Sequence, residues 1–218
     1  FLQNVSHEFR TPIMSIQGYA EGIKYGVVES DSAAVDIIID QAKRLTRLVE
    51  DLLYLSRLDT IEESYHFDSF DLNDLLRVCI DQMKRIAIRQ GKEIISRVSA
   101  DIYEVSGDEE MLSRAISNII SNCIRHSFST TTIATKMADH KNLELSVCDD
   151  GEGFSQEDLD NLFVRFYKGK NGNVGLGLAI SKSIIEKHNG KITIENTSRG
   201  ALFKIIMPCF NHSQSSSR

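Results

Sequence analysis

The chain has 218 residues with 31 acidic against 25 basic, a net charge of −6, and 41% hydrophobic residues. That charge argues against a general nucleic-acid binder, because displacing counterions from phosphate needs a basic face, while the apolar content allows one large or two modest cores. Four cysteines, Cys79, Cys123, Cys148 and Cys209, stand far apart with no Cys-x-x-Cys pair, which disfavours zinc and leads us to expect reduced, mostly buried thiols in a reducing compartment.

Phe1, Val5, Phe9, Ile13, Ile16, Ala20 and Ile23 recur at helical spacing, which predicts a first helix reaching the Gly26 region. Ser30, Asp31 and Ser32 supply cap residues for a second, in which Ile38, Leu45, Leu48, Leu52 and Leu55 keep a heptad-like register as far as Asp59. A lone helical pair cannot close a core. Either a second copy completes a four-helix bundle, or the pair packs on the rest of the chain. After a polar stretch at 60–67 the pattern alternates. Helices are expected at 72–90, 108–126 and 175–188, with strands at 93–98, 102–105, 132–137, 143–147, 191–195 and 201–207. The fold class is therefore α+β: a helical hairpin forming a dimeric four-helix bundle, then a two-layer α/β sandwich on a mixed or antiparallel sheet. We expect domains at 1–62 and 68–210, a linker at 63–67 and a polar, disordered tail at 211–218. No apolar run is long enough for a membrane span and no signal peptide is visible. Because the chain opens inside an expected helix, we expect a piece of a longer protein whose membrane contact, if any, lies in other segments.

Chemistry concentrates in a few strings. In Ser6-His7-Glu8-Phe9-Arg10-Thr11-Pro12, a neutral imidazole near pH 7 has a lone pair with which to attack, and Glu8 beside it can fix a tautomer and stabilise positive charge. Thr11 lies one helical turn after His7, where its hydroxyl can orient a water, and Pro12 should bend or loosen the helix. A solvated polar face is the plain alternative. Asn118 and Asn122 share one helical face, and their amide oxygens suit Mg²⁺, with Arg125 and His126 able to add donors for phosphate; surface asparagines would look the same. Asp149-Asp150-Gly151-Glu152-Gly153 follows an apolar strand, so Asp149 can accept from a base amino group while the glycines allow close backbone approach, or the string is an ordinary hairpin turn. Gly172-Asn173-Val174-Gly175-Leu176-Gly177-Leu178 opens a helix, where unpaired N–H groups favour phosphate, though a glycine turn can also be only a cap.

Together and in this order, these strings resemble the sensor histidine kinases of two-component systems. The His7 string resembles their phosphoacceptor motif, in which the histidine is followed by Glu, Arg, Thr and Pro. The Asn118–Asn122 segment resembles the N-box, although Cys123, Arg125 and His126 stand where the family usually has Ala, Lys and Tyr. Phe163-Val164-Arg165-Phe166-Tyr167-Lys168 resembles the F-box, and the glycine strings resemble the two glycine boxes, with Asn173 where many members have glycine.

The resemblance covers almost the whole chain. It implies a dimerisation and phosphoacceptor domain of the HisKA type and an ATP-binding domain of the Bergerat type shared with gyrase and mismatch-repair ATPases. His7, Glu8 and Thr11 would be catalytic, and Asn122 would hold Mg²⁺. Asn118, Asn122, Arg125, His126, Asp149, Gly151, Gly153, Phe163, Arg165, Lys168, Asn173, Gly175, Leu176 and Gly177 would bind ATP, with Asp149 reading the adenine N6 and 169–173 forming a lid. The implied partners are a second copy and a response-regulator receiver domain, and the implied location is the cytoplasmic portion of a bacterial membrane sensor. A phosphatase or docking scaffold with weak kinase activity and a gyrase-like ATPase clamp are the alternatives.

Overall fold

A computed structural model describes residues 2–28, 32–60, 67–167 and 175–211. It divides into two compact units, Phe1–Thr60 with Arg165–Leu176, and Ile61–Val164 with Gly177–Arg218.

The first unit is built on α1 (Leu2–Lys24) and α2 (Ser32–Thr60). α1 runs unbroken through Pro12, which is buried. It stops where Gly26 takes a left-handed φ of 69° and Val27 and Val28 donate back to the Gly22 carbonyl at 2.9 and 3.0 Å. Such a C-cap satisfies carbonyls that the helix end leaves open. Ala34, Leu48 and Leu55 are buried in α2, while Ile13, Met14, Val35, Ile39, Val49 and Leu53 are exposed. The cap residues expected at Ser30 and Asp31 lie outside the described residues.

The second unit follows an alternating order: β1 (Asp68–Asp71), α3 (Leu72–Arg89), β2 (Glu93–Arg97), β3 (Tyr103–Gly107), α4 (Glu109–His126), β4 (Thr130–Met137) and β5 (Asn142–Asp149). It continues with α5 (Gln156–Asn161), α6 (Gly177–Lys187), β6 (Lys191–Thr197), β7 (Gly200–Pro208) and β8 (Phe210–Asn211). The main sheet has the order β2-β4-β5-β7-β6, parallel only between β2 and β4. Burial alternates along β4 (Thr131, Ile133, Thr135), β5 (Leu143, Leu145, Val147, Asp149) and β7 (Ala201, Phe203, Ile205, Met207). This period of two puts one face of the sheet against helices, and α3, α4 and α6 supply that cover. Each fully buried Ile, Leu or Phe contributes roughly 1.5–3 kcal/mol, and Ile116, Ile119, Ile120 and Phe203 are among them.

Three short elements depart from the sequence expectation. β1 and β8 flank β3 in a second, small antiparallel sheet, and β8 carries the chain through Asn211, where a tail was expected to begin. α5 forms under a capping box in which the Ser155 hydroxyl accepts from Asp158 N–H and the Asp158 carboxylate accepts from Ser155 N–H. α6 starts at Gly177 rather than 175, because Gly175 has a left-handed φ of 72° that no helix continues.

Candidate functional site

In the helical unit, His7 is exposed on α1, Glu8 is half-buried and Thr11 is exposed. The Thr11 hydroxyl donates to the His7 backbone carbonyl at 3.4 Å, the back-bond that threonine commonly makes inside a helix. Its expected role beside the imidazole therefore needs a rotation away from this long bond.

In the sandwich, the end of β5 meets α4, β4 and the start of β7. Asp149 is 2% exposed, and its Oδ1 accepts from Gly151 N–H at 2.9 Å and Ala201 N–H at 3.2 Å. Its Oδ2 is buried without a hydrogen-bond partner. One oxygen thus fixes the carboxylate and the other is left wanting a donor, an arrangement that costs stability unless something fills it. The glycines around it are steric requirements. A Cβ at Gly151 would strike the His126 carbonyl, and one at Gly200, whose φ is 146°, would strike the Asp149 carbonyl.

Asp150, turned the other way, ties α4's exit to this point. Its carboxylate accepts from the backbone N–H groups of Phe128, Ser129 and Thr130 and from the Ser129 and Thr130 hydroxyls. Burial raises its pKa, but these bonds outweigh it and hold the group far below the usual carboxylate range. Asn196 clamps the following loop by accepting from Phe154 N–H at 2.9 Å and donating to its carbonyl at 2.7 Å. Gly153, with a φ of 76°, packs on that amide.

From α4, the Asn118 amide reaches the Gly177 carbonyl at 3.4 Å, and the Ser181 hydroxyl lies within 3.1 Å of the Ala115 carbonyl and 3.0 Å of that of Gly177. These contacts fasten the N-terminus of α6 against α4. Asn122 is half-buried with its amide nitrogen unpartnered. The His126 ring tilts over Phe154 at 5.8 Å, and its pKa is lowered by burial and then by Arg125. Cys123 packs near Asp149, its thiol pKa pushed well up by burial, by the Asp149 charge and by a side-chain contact with that carboxylate, to which an S–H is only a weak donor.

The structure thus gathers Asn118, Asn122, His126, Asp149, Gly151, Gly153 and Gly177 in one unit. Arg125 is exposed on the same helix, and Phe163 is half-buried under the Lys182 ammonium, 5.5 Å from its ring. Arg165, Gly175 and Leu176 fall in the other unit, where Phe166 N–H donates to the Gly175 carbonyl at 2.8 Å; Arg165 is exposed and Leu176 buried. Lys168, Asn173 and the lid at 169–173 lie outside the described residues. Sequence reasoning missed Asp150, Asn196 and Thr131. Thr131, in register with Asp149 across β4 and β5, is 1% exposed, and its hydroxyl too is buried without a partner.

Residues 1–61 match the His Kinase A (phospho-acceptor) domain, and residues 107–210 match the histidine kinase-, DNA gyrase B-, and HSP90-like ATPase family. The sensor histidine kinase CssS of Bacillus subtilis (strain 168) is 34% identical over 210 residues, which span 95% of this chain and 46% of CssS. The chain spans about half or less of the length of the curated relatives it matches. Among solved structures, the Acinetobacter baumannii histidine kinase AdeS superposes with a TM-score of 0.78 at 28% identity, covering 93% of this chain and 97% of that one. Histidine kinase ThkA, solved in complex with response regulator protein TrrA, gives a TM-score of 0.78 at 24% identity over 95% of this chain and 60% of its own, a likeness of fold.

Proposed function

The chain belongs to the sensor histidine kinase family, and from that premise we propose that it is an ATP-dependent, autophosphorylating protein histidine kinase core. The half-satisfied carboxylate of Asp149 carries this reading. A buried acceptor oxygen with no donor, on a side chain fixed through its other oxygen, is complementary to the exocyclic amine of adenine. The N–H groups at the start of α6 and the guanidinium of Arg125 would face the triphosphate.

The half-buried Asn122 amide fits Mg²⁺, which takes hard oxygen donors, needs few protein ligands and leaves other positions to water and phosphate. When bound there, the ion neutralises triphosphate charge. His7, exposed on α1, attacks the γ-phosphorus in line: a nitrogen–phosphorus bond forms, the bond to the β–γ bridging oxygen breaks, and ADP leaves. Glu8 stabilises the positive charge that develops on the imidazole. The phosphoramidate then passes its phosphoryl group to an aspartate of a response-regulator receiver domain. Thr11, released from the 3.4 Å bond to the His7 carbonyl, would orient water for hydrolysis of the regulator's acyl phosphate.

The partner that covers Ile13, Met14, Val35, Ile39, Val49 and Leu53 is a second copy, giving a four-helix bundle. No helix of the described residues is long and apolar enough to cross a membrane; the location we propose is the cytoplasmic portion of a bacterial membrane sensor.

Incubation with γ-labelled ATP and Mg²⁺ tests the activity. We expect label that is lost in acid and kept in alkali, as a phosphoramidate requires. Binding of ATP with no label on the protein would favour a phosphatase or scaffold instead. Light scattering should give a dimer mass, and a monomer at working concentration would contradict the bundle.

A further inference from the structure

We infer that Thr131 is a specificity residue for the nucleotide base, acting as the partner of Asp149. This rests on the reading of the Asp149 site as an ATP site. Thr131 and Asp149 face each other across antiparallel β4 and β5. Directly opposed residues project to the same face of a sheet with Cβ atoms about 5 Å apart. Both are at least nine-tenths buried, at 1% and 2% exposure, and each keeps one side-chain oxygen without a hydrogen-bond partner.

The neighbouring positions show how unusual this is. Thr135, two buried positions further along the same strand, has its hydroxyl fully engaged: it donates to Asn73 at 3.2 Å and accepts from Ser99 N–H at 2.9 Å. On the other flank of Asp149, Ala201 offers a backbone N–H and a methyl group. Thr131 is therefore the unengaged hydroxyl directly across the strand pair from Asp149. A valine would fill the same volume with no unpaired group, so the hydroxyl is kept at a cost in the free protein.

The pair has a definite chemistry. A carboxylate oxygen accepts, and a hydroxyl beside it can donate. An edge that presents an amine next to a ring nitrogen acceptor satisfies both: the 6-amino group with N1 of an adenine. Thr131 reaches that nitrogen directly or over one bridging water. An edge with a carbonyl next to a ring N–H, as in guanine, would set oxygen against Asp149.

Calorimetric titration of the whole chain with Mg-ATP, Mg-GTP and Mg-1-deaza-ATP, which lacks the N1 acceptor, tests the inference in wild type, Thr131→Val and Thr131→Ser. Thr131→Val should bind ATP about tenfold more weakly, Thr131→Ser should stay within about twofold of wild type, and 1-deaza-ATP should bind wild type and Thr131→Val alike. Without nucleotide, Thr131→Val should melt no lower than wild type. ATP binding by Thr131→Val at wild-type strength overturns the inference, as does an equal loss for ATP and 1-deaza-ATP, which would mark a packing role. Should the valine variant fail to fold, Thr131→Ala decides by the same two criteria, and wild type that does not discriminate ATP from 1-deaza-ATP overturns the inference. Folded wild type with no affinity for ATP would instead remove the underlying reading of the site.

Discussion

The helical pair and the sandwich are each incomplete, in opposite ways. The pair has a thin core around Leu48 and Leu55, and leaves Met14 63% and Leu53 56% exposed. The sandwich closes a core of its own around Leu76, Ile116, Ile120, Leu145 and Phe203, although Ile88, Phe128 and Phe210 stay exposed, and inside it one carboxylate oxygen of Asp149 and the hydroxyl of Thr131 are buried with no partner. One unit is short of apolar cover and the other of hydrogen-bond partners. Under the proposed function a second protein surface would supply the first and a polar small molecule the second, so that the kind of deficit matches the kind of partner.

Crowding around the second deficit gives the largest expected effect. Gly151→Ala pushes a methyl into the His126 carbonyl and should destabilise the sandwich by about 3 kcal/mol or more, read by thermal unfolding. In the pair, Leu48→Ala should cost about 2–5 kcal/mol, whereas Leu53→Asp should leave helicity intact and shift the mass toward monomer. A mass unchanged by Leu53→Asp would break the contrast.

A smaller effect comes from His188, which is buried with Nδ1 2.7 Å from the Ile184 carbonyl and Nε2 accepting from Asp108 N–H at 2.9 Å. Both nitrogens are satisfied only in the neutral form, and burial lowers the pKa. The unfolded chain takes up a proton below the ordinary value of about 6.5 while the folded chain resists it. Stability from this group is therefore full above that pH and declines as the pH falls through it. His188→Gln should flatten the slope between about pH 6.5 and 5. The smallest effect is favourable: Gly18→Ala, inside α1 with nothing within 4 Å of the added carbon, should stabilise by roughly 0.5–1 kcal/mol.

Long periodic segments were legible in sequence. The apolar spacing in α1, α2 and α4 and the alternation in β5 and β7 each report a buried face directly. β1, with the sequence Asp-Ser-Phe-Asp, and the two residues of β8 have no period to read; they are strands because β3 pairs with both. α5 is six residues long, too short to form without its caps, and its only signal was Ser155 with Asp158 three positions on. In the site, Asp149 and its glycines were visible because the glycines mark a backbone constraint. Asp150 and Asn196 were not, since only the fold brings Ser129 and Phe154 to them. Thr131 fell outside the expected strand, which began at 132; starting β4 at Thr130 places it in the buried phase.

The division of labour between the two units is tested most directly by pairing nucleotide titration with γ-phosphate labelling in His7→Gln and Asp149→Asn. His7→Gln should bind Mg-ATP like wild type and take no label. Asp149→Asn, which sets an amide N–H₂ against the adenine amine, should lose at least about 30-fold in affinity and its label with it. Label on His7→Gln, or wild-type ATP affinity in Asp149→Asn, would contradict that division of labour.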